Sequence, residues 1–156
     1  MKNEVFEVYE KYKKVLWKDI PRLTGVKWKI KKVGFRKWKK PYWSTKGKTI
    51  LIGGRKPMKK FLCSTVHEMI HIDTLNNKIR KEINLSKKSL YAFEIVTIIL
   101  TNNIVRKINK KYNKRFAIQH FDIPYKKYEQ RYREFSKLEK NKNFKEFYEA
   151  VRKRLK

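Results

Sequence analysis

The chain has one cysteine, Cys63, in 156 residues. A lone thiol excludes an internal disulfide and points to a reducing compartment. Long apolar runs are missing too: AFEIVTIIL, residues 92–100, is broken by Glu94 and falls well short of a membrane span. The N-terminal stretch MKNEVFEVYEKYKK mixes acids with lysines and has no apolar segment, so the expectation is no signal peptide and a cytoplasmic, soluble protein. No Ser/Gly-rich linker and no internal repeat divides the chain.

Acidic residues are scarce. Fourteen Asp and Glu stand against 43 Lys and Arg, a formal net charge of +29. From Ile20 to Val66 there is no acid at all, while fifteen Lys or Arg occur. Such a field attracts polyanions, with nucleic acid or an anionic membrane surface as the usual partners. The plain alternative is a lysine-rich, solvated surface.

The apolar content, 40% of residues with 14% aromatic, is that of a folded chain, and the length suits one domain with a real core. Helical spacing of Val5, Val8, Tyr9, Tyr12, Val15 and Leu16 predicts a helix over 4–18, ended by Pro21 and Gly25. Val26, Trp28 and Ile30 alternate with lysines, which predicts a strand with one buried and one basic face. A second strand or loop runs through Phe35 and Trp38 to Pro41, and TILI, Thr49 to Ile52, reads as a further strand left through Gly53. A helix is expected from Pro57 to about Asn76, and another from about Ser89 to Tyr112. Two C-terminal helices are expected from the stripes Tyr125, Tyr128, Tyr132, Phe135, Leu138 and Phe144, Phe147, Tyr148, Val151, Leu155. The fold class is therefore α+β. A single domain over 1–156 is expected, with a core of about 26–112 and a C-terminal helical extension of about 123–156.

Histidine is also rare, with three in the chain, yet two of them fall in VHEMIHI. His67 and His71 are four residues apart, so on a helix both imidazoles can face one cation. Glu68, one step round from His67, can reach a water held on that cation. This HExxH arrangement is the one zinc hydrolases use: two neutral imidazoles, an open coordination position and a carboxylate base. The plain alternative, two polar residues on an exposed face, sits poorly with the apolar flanks FLCSTV and MI. Cys63 lies about 12 Å along the helix axis from His71, too far to share one ion with it, and reads as a small buried residue.

Glu94 stands inside the apolar helix on a stripe with Leu90, Thr97, Ile98 and Thr101. A buried carboxylate is costly unless it is paired or binds metal, so Glu94 is a candidate third ligand, with a lysine ion pair as the alternative. His120, in FAIQHFD, is a rival ligand or a donor to the oxyanion of a tetrahedral intermediate; an ordinary surface or core-edge histidine is the plain reading. Tyr112 and Tyr125 are rival donors.

With HEMIH and a helix-borne glutamate 23 positions after His71, the chain resembles the zincin metallopeptidases of the gluzincin type in a very small, minigluzincin-like version, over roughly residues 26–105. The resemblance implies a small zincin-like domain with a short twisted sheet, an HExxH active-site helix, a buried glutamate helix and a C-terminal helical pair. It implies one Zn2+ per chain on His67, His71 and Glu94, with Glu68 activating water against a peptide or protein substrate. In zincins the strand before the HExxH helix commonly rims the cleft and pairs with extended substrates, which here implies contacts at Thr49, Ile50, Leu51, Ile52 and Gly53. Gluzincins often carry an acid four residues after the third ligand to orient the first histidine; that position is Ile98 here, leaving Asp73 as the candidate. WSTKGKTILIGG followed by VHEMIHI also bears a remote resemblance to SprT-like and YgjP-like metallopeptidases, the former acting at DNA. That group takes its third ligand from a later histidine, and none lies between His71 and His120. A nucleic-acid-linked protease, or a nucleic-acid-binding protein that uses the basic region 20–66, is the alternative function.

Overall fold

The computed structural model describes residues 4–36, 42–46, 48–54, 60–74, 87–119, 134–137 and 144–155. It is an α+β structure whose described elements are α1 (Glu4–Lys14), α2 (Ile20–Thr24), β1 (Lys32–Arg36), β2 (Tyr42–Lys46), β3 (Thr49–Gly53), α3 (Phe61–Thr74), α4 (Lys87–Tyr112) and α5 (Phe144–Arg154). The chain divides into two compact units, Met1–Asp73 with Thr101–Gln119 and Thr74–Leu100 with His120–Lys156. The first unit takes in the N-terminal helices along with the sheet and α3.

In the first unit the helical path does not stop at Pro21. A π-helical turn, Val15–Asp19, passes directly into α2, where Pro21 occupies a first-turn position that needs no N–H donor. Gly25 ends the helix, with φ of 73° and its N–H donating to the Pro21 carbonyl. The expected strand at 26–30 is absent. The alternation in burial is real, with Ile30 buried and Lys27 and Lys29 exposed, but the backbone is held by single anchors instead of a ladder. The Trp28 indole N–H donates to the Leu16 carbonyl at 2.8 Å, and Lys29 N–H donates to Asp73 at 2.6 Å.

Strand pairing starts at Lys32. The sheet order is β1-β3-β2, with β1 parallel and β2 antiparallel to β3. β3 matches the TILI reading and is the central strand; Ile50 and Ile52 point inward and are fully buried. Aromatic rings join the surrounding elements. Phe35 of β1 meets Phe6 and Tyr9 of α1 edge-on, each at 5.3 Å between centroids. Tyr12 stacks on Phe61 at the start of α3 and meets Phe116 edge-on. Asn102 and Asn109 of α4 hold the returning segment 113–119: each amide donates to a backbone carbonyl and accepts a backbone N–H, at Gln119 and Phe116 respectively.

The second unit has its own core. Ala92, Phe93, Ile95, Val96 and Ile99 of α4 pack with Phe135 and with Phe147, Tyr148, Val151 and Leu155. The second C-terminal stripe thus falls on α5 and the residue after it, and its Phe147, Tyr148, Val151 and Leu155 are buried. Of the first stripe, Phe135 is buried within a helical turn at 134–137; Tyr125, Tyr128, Tyr132 and Leu138 lie outside the described residues, as do Pro57, Trp38 and Pro41.

Candidate metal centre

α3 is buried almost all round. Phe61, Leu62, Cys63, Val66, Met69, Ile70 and Ile72 are each at most 6% exposed. Ser64 and Glu68, one turn apart, are half-exposed and mark the open side of the helix. His67 and His71 flank that side at 7% and 9% exposure. A helix packed on this many apolar side chains is rigid, which is what a ligand pair needs to keep its geometry.

The two imidazoles converge. Their Nε2 atoms are 2.8 Å apart, the ring centroids 4.5 Å apart and the planes at 82°. At that separation one Nε2 donates its proton to the other. The ligand atoms of His67, Glu68 and His71 all lie within 4.8 Å of one another. Two nitrogens on one zinc, at about 2.05 Å each and a tetrahedral angle, would be about 3.3 Å apart. A side-chain adjustment of about half an ångström therefore opens the pair to that spacing. One ring must also move its proton to Nδ1, so that both Nε2 atoms present lone pairs. The donor set fits a zinc-type cation: two imidazole nitrogens and a nearby carboxylate, with no thiolate among the three.

Cys63 is not part of this group. It is fully buried, its Sγ lies 3.2 Å from the Lys60 carbonyl, and burial pushes the thiol above its ordinary pKa. This agrees with its reading as a small apolar residue. Asp73 does not take the orienting role suggested for it. Its carboxylate accepts the backbone N–H of Lys29, while the Lys29 ammonium donates to the Asp73 carbonyl at 3.2 Å. Partial burial raises its pKa, and the Lys29 N–H and charge oppose that rise. Asp73 therefore clamps the segment before β1 to the end of α3. Sequence spacing could not reveal this, because the partner is a backbone N–H 44 residues away.

The strand expected to receive substrate is differently placed. Thr49, Ile50, Leu51, Ile52 and Gly53 are paired at every position with β1 on one side and β2 on the other. A central strand has no free main-chain edge, so an extended peptide cannot add along β3. Among the described residues, the outer edges of the sheet belong to β1 and β2.

Glu94 lies on α4 in the second unit, between the buried Phe93 and Ile95. It is half-buried, not enclosed, which reduces the desolvation cost that singled it out. His120 and Tyr125 lie outside the described residues. Tyr112 is engaged at the far end of α4, where its phenol oxygen accepts a hydrogen bond from Arg22. Among the described residues no helix is long and apolar enough to cross a membrane. No protein-family model, curated protein or solved structure matches this chain.

Proposed function

We propose that the protein is a zinc-dependent peptide hydrolase of zincin-like type, centred on His67, Glu68 and His71. The observation that supports it is the convergence of the two Nε2 atoms, 2.8 Å apart, with the Glu68 carboxylate within 4.8 Å of both, on a partly open side of a largely buried helix. Zinc, when bound, supplies a Lewis acid that brings the pKa of water near neutrality and polarises a carbonyl.

The chain's own residues do the rest. His67 and His71 would hold the ion through their imidazole nitrogens, and the apolar packing around them keeps both rings on one side of α3. Glu68 is half-exposed, which a base must be if it is to meet both water and substrate; its carboxylate takes the proton from the attacking water. A catalytic zinc commonly has three protein ligands. Glu94 is the proposed third and His120 the competing one. If His120 is not a ligand, it is the proposed donor to the developing oxyanion. One ion per chain and a peptide or protein substrate complete the proposal.

Elemental analysis of purified wild type, Glu94→Ala and His120→Ala tests the ligand set. One zinc per chain, lost in Glu94→Ala and kept in His120→Ala, supports it as stated. Loss in His120→Ala instead transfers the third position to that histidine, and no zinc in any form refutes the metal reading. Glu68→Gln should keep its zinc and lose peptide hydrolysis by roughly 100-fold or more, the scale of general-base assistance; full activity in that variant would refute the role of Glu68.

A further inference from the structure

The charge of this protein is unevenly neutralised. On α1, Lys11, Lys13 and Lys14 follow Glu4, Glu7 and Glu10, and Lys13 pairs with Glu10 at 3.2 Å. On α5, Arg152 pairs with Glu149 at 2.9 Å, and Glu146 sits one turn earlier. The C-terminal part of α4 and its extension differ. Arg106, Lys107, Lys110, Lys111, Lys114 and Arg115 are all exposed, and no Asp or Glu occurs anywhere in residues 95–121. Like charges three and four apart on a helix oppose its formation, and the helix dipole offsets this only within the last turn.

In the first unit the start of the other acid-free stretch, residues 20–66, meets this one at Arg22 and Leu23. Leu23 of α2 and Lys107, Lys110 and Lys111 of α4 line a shallow concavity of about 340 Å³. Arg22 stands beside it and is pre-positioned, donating to the Tyr112 phenol oxygen and lying 3.6 Å from Asp19. Two segments more than eighty residues apart, each without an acid, thus meet in one groove.

We propose that this groove binds the phosphodiester backbone of nucleic acid. Three ammonium groups at i, i+3 and i+4 lie on neighbouring ridges, about 5–6 Å apart at Cβ, so each can take its own phosphate. A guanidinium fixed at the rim adds a fork suited to a phosphate's oxygens. Leu23 gives the lysine stems an apolar floor, which leaves their charged ends directed outward. The contacts available are with phosphates, so binding is independent of base sequence and strongly dependent on salt. The site is independent of the metal centre.

The test is fluorescence anisotropy of full-length protein with a labelled mixed-sequence 20-mer, single-stranded and duplex, across a salt series. Lys107→Gln/Lys110→Gln/Lys111→Gln is compared with Lys11→Gln/Lys13→Gln/Lys14→Gln, which removes the same charge from α1. The α4 variant should weaken binding by at least about tenfold and reduce the salt slope by about 2 to 3, while the α1 variant leaves the slope near wild type. Replacing the same three α4 lysines with arginine should retain binding, which separates lost charge from lost folding. Equal losses in the two glutamine variants would show diffuse attraction and overturn the site. So would unchanged nucleic-acid binding in the α4 variant, including the case where it loses only its binding to vesicles rich in phosphatidylserine.

Discussion

Zinc loading should stabilise the protein, and the histidine pair should be indispensable to the gain. The two Nε2 atoms stand at hydrogen-bonding distance, 2.8 Å apart. With zinc they should stand about 3.3 Å apart, so the ion replaces one hydrogen bond with two coordinate bonds. Because the unfolded chain keeps no such arrangement, binding free energy becomes folding free energy. At free zinc one hundred times the dissociation constant the gain is about 2.7 kcal/mol, which for a chain of this size raises the melting temperature by roughly 5–11 °C. The assay is thermal unfolding followed by circular dichroism, with zinc and then with excess chelator, for wild type, Glu68→Gln and His71→Ala. Wild type and Glu68→Gln should show the rise and lose it to chelator; His71→Ala should show little of it. A rise of equal size in His71→Ala would mean that zinc binds elsewhere, and the convergence of the two rings would then have no bearing on metal. A crystal structure of the loaded protein with the Nε2 atoms still at hydrogen-bonding distance would refute the same reasoning.

Cys63→Ala should keep the full zinc stoichiometry, and the wild-type thiol should react slowly with a disulfide reagent until the protein is denatured, because it is buried and holds its proton. The folded-state thiol pKa is raised, so the folded state binds the proton more tightly than the unfolded one. Its contribution is therefore complete below the unfolded thiol pKa of about 8.5 and is lost as pH rises towards the folded value. The stability of wild type relative to Cys63→Ala, measured by urea titration, should accordingly fall from about pH 8 upward; a flat difference would contradict the burial. Ile52→Ala, which truncates a fully buried side chain on the central strand, should cost about 2–5 kcal/mol in the same titration. A loss below 1 kcal/mol would show that β3 is not the centre of the sheet.

Much of the local structure was legible in the residues, because helices and strands answer to spacing within a few turns. The i, i+4 placement of His67 and His71 put both rings on one side of α3 before any packing was known. The stripes in 4–18, 89–112 and 144–155 became α1 with its π turn, α4 and α5, since each apolar face must be buried wherever the chain folds. What lay beyond reach was pairing across long separations. Alternation at 26–30 looks the same whether the backbone joins a ladder or is pinned by Trp28 and Asp73, and only the tertiary structure chose the pins. TILI was readable as a strand, but whether it is central or at an edge depends on β1 and β2, so the substrate contact expected there gave way. Asp73 was spent on Lys29, a backbone partner that no side-chain pattern reveals. The acid-free stretch 20–66 was visible as composition; that Leu23 and the lysines of α4 line one groove was decided by the fold, because charge shapes a surface only after packing has chosen which residues share it.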